Sequence, residues 1–252
     1  MDDVIASTKD RIRYVTLSRP EKRNALNGEL VAGLKAALRE ADSDEELRAV
    51  VIRGAGQDFC SGADLAELQK IASNSFEENI ADAGELAELF LLTRQVRVPV
   101  IAAVHGRALA GGCGLATACD LVVATKSARF GYPEVKIGFV PAMVAAILRR
   151  NLGEKKSFEL LTQGFEYSAV EAAELGLVNR VVEDDELEAS VAEYVSIYAK
   201  VSGSAVAMTK RLIYEIDGET FEEAVEKGVQ TNARARMTKD CKTGVARFFN
   251  RE

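Results

Sequence analysis

The chain has 252 residues, 48% hydrophobic and 28% charged, a composition that supplies a sizeable core and excludes disorder as the main state. Its 32 Lys and Arg stand against 39 Asp and Glu, a formal net charge of -7, which opposes chain-wide attraction to nucleic-acid backbones or anionic lipid. The longest apolar stretches, 98–104 and 139–148, are shorter than the roughly 18 residues of a membrane span, so no nucleic-acid and no membrane partner is expected.

The opening MDDVIASTKD lacks the basic start and apolar run of a secretory signal, and a cytoplasmic protein is expected. Cys60, Cys113, Cys119 and Cys241 show no CxxC spacing and sit among apolar or small residues, as free thiols do. His105 is the only histidine. It lies between an apolar run and Gly106, where a structural role is expected, so a histidine zinc site or a Ser-His-Asp triad has no material. Any chemistry must rest on carboxylates and backbone, with no metal.

In chain order, residues 11–17 are β-rich and end at Arg19-Pro20, where the proline ring stops ladder pairing. From Gly28 the period becomes helical through Leu30, Val31, Leu34, Ala37, Leu38 and Ala41, with Asn27 as a cap. Residues 49–53 form a short apolar run that ends in Gly54-Ala55-Gly56, the pattern of a buried parallel strand entering a loop. A helix over 76–95 and a strand over 98–104 repeat the unit.

Residues 110–119 are nearly all small. They form a helix only if close packing offsets a propensity cost of roughly 1 kcal/mol per glycine against alanine, so the helix should be buried. A strand over 120–124, a turn at 130–134 and a helix over 142–150 follow. Beyond residue 151 only 176–182 carries a strand signal, while 187–201 and 205–216 are helical. The alternation predicts α/β layering. With no linker composition and no repeat, the division expected is a core over 1–195 and a helical extension over 196–252 that packs on it or joins subunits.

Two glycine-rich loops are candidate sites, 54–65 and 106–114. Neither matches GxGxxG or GxxxxGK[ST]. Alone, the first reads rather as a plain βα loop, and the second equally as tight helix packing or as a place where Gly111 and Gly112 let a ligand approach main chain at a helix N-terminus.

Taken together, the ordered motifs resemble the crotonase superfamily, the enoyl-CoA hydratase/isomerase family. They are Arg19-Pro20, Asn24-Ala25-Leu26, residues 59–65, 104–115, Cys119-Asp120, 130–134, Gly138 with Pro141, 168–172 and Gly176-Leu177-Val178, and they extend over almost the whole chain. The resemblance implies an α/β crotonase-like (ClpP/crotonase) ββα spiral with a helical C-terminal region, assembled as trimers often paired into hexamers. It implies an acyl-CoA or enoyl-CoA substrate in fatty acid metabolism, with coenzyme A part of that substrate and no separate cofactor. The oxyanion-hole donors of the family fall on the backbone N–H groups of Ala63 and Gly111, and its coenzyme A contacts on Arg23, Ala25, Ser61, Ala63, Asp64 and Leu65. Asp64 is further expected to order its loop or cap the next helix.

Of the two glutamates that hydratases of the family carry, the second falls on Glu134 and the first on Gly114, which has no side chain; the aspartate some members use falls on Ala142. Glu134 is left as the acid/base. One carboxylate suffices to move a proton between C2 and C4 of an enoyl thioester, whereas hydration also needs water held in place. Δ3-Δ2 isomerisation and 2-enoyl hydration both remain open, as does a non-catalytic acyl-CoA-binding homologue. The acyl pocket is expected from residues 65–90. The tail from residue 234 carries six Lys and Arg against two acids and is read mostly as a solvated face with Phe248 and Phe249 packed beneath, single charges reaching coenzyme A phosphates with Arg23.

Overall fold

The computed structural model describes residues 2–71 and 73–249. Two antiparallel strands, β1 (Val4–Lys9) and β2 (Ile12–Leu17), open the chain. Asp10 and Arg11 join them with φ of 50° and 67°, the two left-handed residues of a tight hairpin. The sequence reading has no counterpart for β1, because its side chains are almost all exposed and leave no alternation to detect.

Helix α1 (Gly28–Ser43) begins where the Asn27 side chain accepts the Leu30 N–H at 2.8 Å, as its cap role predicts. Then come β3 (Ala49–Gly54), α2 (Leu65–Ile71) and α3 (Phe76–Gln95). Ser75 and Glu78 close a reciprocal capping box at the start of α3. The strands β4 (Val100–Val104) and β5 (Arg107–Leu109) precede the buried small-residue helix α4 (Gly111–Ala118). After it lie β6 (Leu121–Thr125), β7 (Arg129–Gly131), α5 (Ala142–Asn151), α6 (Glu154–Gln163), β8 (Glu166–Ser168), α7 (Ala169–Glu174) and β9 (Arg180–Val182). Four helices end the chain: α8 (Leu187–Lys200), α9 (Gly203–Glu215), α10 (Phe221–Met237) and α11 (Lys239–Phe249).

The main sheet has strand order β1-β2-β3-β4-β6-β9 and is parallel from β2 onward. Its central strands are buried on both faces, which is why they read as continuous apolar runs. Val50, Ile52, Ala102, Val104 and Val122 turn to the core beneath α1 and α3; their alternates Val51, Ile101, Ala103 and Val123 meet Leu187, Val191 and Val195 of α8. A second sheet, β5-β7-β8, stands apart from the first, and β5 and β7 flank the start of α4.

Helix α9 is fastened to the core by a buried charge. Lys210, whose side chain is 7% exposed, pairs with Asp120 at 2.7 Å and donates to the carbonyls of Thr93, in the last turn of α3, and Val98, just beyond it. Asp120 also accepts from the Tyr214 hydroxyl and the Val100 N–H. Breaking such a pair strands an unpaired buried charge, so the network holds α9 in one place. The junction at 195/196 falls inside α8.

The tail departs from the expectation for Phe248 and Phe249. They are 75% and 72% exposed, edge to face with one another and not packed beneath the basic face. No described residue of α10 or α11 is buried; the two helices pack along α9 and each other among the described residues. Phe221, Val229, Met237 and Val245 are left uncovered beside them. Among the described residues no helix is long and apolar enough to cross a membrane, and no group of His, Cys, Asp and Glu could hold a metal ion. All four cysteines are free.

Candidate active site

Residues 59–64 thread between two segments and bond to both. On one side Ser61 N–H donates to Arg23 O, Leu26 N–H to Gly62 O and Asp64 N–H to Leu26 O, at 2.7 to 3.0 Å. On the other, Cys60 N–H donates to Arg107 O and Leu109 N–H to Cys60 O, both at 3.0 Å. Because Leu26 bonds to the residues on either side of Ala63, the peptide groups of Ala63 itself face away from that ladder. The Ala63 N–H donates to no protein acceptor among the described residues.

The second donor is Gly111, the first residue of α4, whose N–H has no acceptor within its own helix. Ala110 before it has φ 49° and ψ -125°. A non-glycine residue in that region costs of order 1–3 kcal/mol and persists only where its surroundings hold it. Here the Ala110 N–H is fixed on Gly131 O at 2.8 Å and its methyl abuts Gly62, where a Cβ would lie 2.9 Å away. Gly62 has φ 101° and Gly112 would set a Cβ 2.7 Å from Cys60 Sγ. Glycine is required at both, and its absence of side chain lets the two backbone segments touch. The neighbours of Ala63 and Gly111 are thus in direct contact, Gly62 against Ala110 and Gly112 against Cys60.

Glu134 lies in a 3-10 turn (Pro133–Ile137) that ends at Gly138 in the left-handed conformation. It follows by three residues the Gly131 carbonyl that anchors Ala110, a chain reach of about 10 Å. The intervening Tyr132 is buried, with its hydroxyl 3.1 Å from that of Thr117 on α4. Glu134 Oε2 is buried without a hydrogen-bond partner among the described residues. Desolvation raises its carboxyl above the ordinary glutamate value of 4.5, opposed in part by a backbone hydrogen bond. A carboxyl with an open oxygen and a raised pKa is suited to exchange protons with a ligand.

The position of the missing glutamate is occupied. A Cβ on Gly114 would fall inside the Val144 Cγ1 contact surface and 2.9 Å from Phe90 Cζ. Both residues are buried in the main core. The site therefore has one carboxylate and, in place of the other, an apolar plug from α3 and α5.

The remaining sequence-predicted residues line the same loop with different roles. Arg23 has φ 50° and an exposed side chain 3.8 Å from Asp58. Ala25 is buried, Ser61 half-buried, and Leu65 exposed at the start of α2. The Asp64 carboxylate turns inward: it accepts the Ala66 N–H and pairs with Arg19 at 2.8 Å, which together hold it below the usual carboxylate range. It is thus the loop-ordering cap that its position predicts. His105 Nε2 donates to Gly56 O at 2.9 Å, a structural contact.

Sequence reasoning misses Arg19, which also pairs with Asp3; Asn24, whose amide donates to Ala55 O and Asp58 O; and Asp58, which accepts the Arg107 N–H. Arg19 and Asn24 stand in the family motifs, but their partners Asp3, Ala55, Asp58 and Asp64 lie outside those two motifs, the last of them 45 residues from Arg19. Phe90 and Val144 give no signal at all beyond apolarity. Gly114→Glu should destabilise the protein by about 1–3 kcal/mol through overpacking, and Val144→Ala in the same chain should recover part of that loss. Urea denaturation of both variants measures it, and a single variant as stable as the parent would show that the plug is not there.

The chain has relatives among known proteins. The family model described as enoyl-CoA hydratase/isomerase matches residues 7–252. A Thermus thermophilus protein named "Putative enoyl-CoA hydratase" is 40% identical over 243 residues, covering 96% of each chain. The crystal structure of an enoyl-CoA hydratase from Mycobacterium smegmatis superposes with a TM-score of 0.95 at 34% identity, covering 100% of this chain and 98% of that one. One from Polaromonas sp. JS666 gives 0.93 at 31%, covering 99% and 97%. With a family model across nearly its whole length and crotonase-fold neighbours end to end, the chain belongs to the enoyl-CoA hydratase/isomerase family of the crotonase superfamily.

Proposed function

We propose that the protein shifts the double bond of an enoyl-CoA thioester from Δ3 to Δ2, with Glu134 as its only proton carrier. The observation that carries this reading is the pairing of an unpartnered Glu134 oxygen with an apolar plug at Gly114. In the first step Glu134 takes a proton from C2 of the 3-enoyl thioester. The C2–H electron pair moves into a dienolate whose negative oxygen accepts hydrogen bonds from Ala63 N–H and Gly111 N–H. Glu134 then returns the proton to C4, the double bond settles at C2–C3, and the carbonyl is restored.

The two fixed donors act on charge that develops only as the reaction proceeds, and each such donor is typically worth about 3–4 kcal/mol in acyl-transfer precedents. Arg23, Ala25, Ser61, Asp64 and Leu65 place coenzyme A along the loop, mostly through backbone. Coenzyme A enters as part of the substrate, and no separate cofactor is invoked. A second reading, hydration of a 2-enoyl-CoA, draws on the hydratase names of the relatives. It requires a water held without a second carboxylate, against the apolar surface of Phe90 and Val144.

Incubating the protein with 2-enoyl- and 3-enoyl-CoA in heavy-oxygen water separates these. A shift of the double bond without label supports isomerisation, label in the product supports hydration, and tight binding with no turnover of either supports a non-catalytic acyl-CoA binder. Glu134→Gln should reduce the rate by about 100-fold or more. Because the base must be ionised, kcat/KM should rise with pH through a midpoint above 4.5. Folding stability moves the opposite way: with a raised folded-state pKa the contribution of Glu134 is fully present below the unfolded value and is lost as pH climbs through the folded one. Glu134→Gln, which carries no charge to desolvate, should therefore be at least as stable as the parent at neutral pH in thermal or urea denaturation.

We also propose trimers, singly or in pairs, that cover the uncovered apolar residues of α10 and α11. Sedimentation should give three or six times the chain mass, and a monomer at micromolar concentration would refute this.

A further inference from the structure

A cleft of about 960 Å³ lies between α3, α5 and α9, outside the paired loops of the candidate site. Its apolar wall includes Ala87, Phe90, Leu91, Met143, Ile147 and Met208. Phe90 belongs to both regions, since the ring that fills the space at Gly114 also lines this cleft.

Five cationic side chains reach the cleft, and four are satisfied within the protein. Lys210 pairs with Asp120, Arg150 with Asp217 and Arg211 with Glu215. Arg97 is taken up by the carbonyls of Asp42, Asp44 and Leu47. Arg94 differs. Its guanidinium rests on the Tyr214 ring at 4.6 Å, it forms no ion pair or hydrogen bond among the described residues, and its Nε is buried without a partner. Stacking on a ring leaves the edge of a guanidinium, where its donors point, free for a carboxylate. A buried donor left unpaired carries a desolvation cost that a ligand pairing with it would recover.

We propose that this cleft binds an apolar chain that ends in a carboxylate, with Arg94 as the partner of that carboxylate. The chemistry fits two sources, a free medium-chain fatty acid or the far end of an acyl-CoA that carries a carboxyl group opposite its thioester. In the second case the proposal rests on the acyl-CoA reading above and names its substrate class. The position of Phe90, one helical turn before Arg94 and against Gly114, places the cleft beside the candidate site.

Calorimetric titration with decanoate and with decanol reads the cleft without any turnover, so its result stands whether or not the enoyl-CoA reading does. Decanoate should bind at least tenfold more tightly than decanol. Arg94→Met should remove that preference, Arg94→Lys should retain most of it, and Ala146→Phe should weaken both ligands by filling the cleft. Equal affinity for the two ligands, or a preference for decanoate that survives in Arg94→Met, overturns the proposal. Octanoyl-CoA and its analogue with a terminal carboxyl then distinguish the sources. If the analogue's advantage depends on Arg94, the cleft holds the end of the substrate; if only decanoate depends on Arg94, the cleft is a separate carboxylate site.

Discussion

The site depends on two backbone segments lying closer together than side chains permit. Residues 59–64 are hydrogen-bonded to the segment around Leu26 on one side and to β5 on the other, and Gly62 and Gly112 remove the only atoms that would hold them off from Ala110 and Cys60. A ladder bonded through every second residue turns the intervening peptide outward, and a helix leaves its first N–H groups unpaired. The two rules meet at Ala63 and Gly111. Neither donor needs a side chain, so both residues can be small, and the strain at Ala110 is held by the Gly131 carbonyl and by contact with Gly62.

Around that pair, the proposed chemistry depends on which side chains would surround a thioester. Glu134 sits on a turn tied through Tyr132 to Thr117 of α4, and burial without a partner raises its pKa. Opposite the small face of α4, Phe90 and Val144 occupy the space a second acid would need. In the proposed reaction this division is functional: a single acid moves a proton within one molecule, and the apolar plug keeps water from competing for the carbon that receives it. The same Phe90 joins the site to the cleft at Arg94, so helix α3 contributes to both.

Much of this is legible in the chain itself. The all-apolar runs at β3 and β4 foretell strands buried on two faces, Asn27 foretells its helix start, and the small residues of 110–119 foretell a helix with backbone pressed against it. The ordered motifs carry the family, and with it Ala63, Gly111 and Glu134 as candidates. What escapes is set by tertiary contact. The exposed side chains of β1 leave no periodic signal, and β5, β7 and β8 have three residues each, too few for a pattern. Phe90, Val144 and Arg94 look like ordinary helix residues until α3, α5 and α9 are packed together. Phe248 and Phe249 satisfy an amphipathic period that demands a covered face, but no described residue supplies the cover.

In the proposed site Ala63 N–H and Gly111 N–H converge on one thioester oxygen. Isotope-edited infrared difference spectroscopy of an acyl-CoA labelled with carbon-13 at the carbonyl measures that contact on the bond it polarises. Two hydrogen bonds from a dry, fixed backbone should move the bound carbonyl band to lower frequency than in water, and the shift should persist in Glu134→Gln, which leaves both donors in place. A bound thioester whose carbonyl band stays at its aqueous frequency would contradict the account.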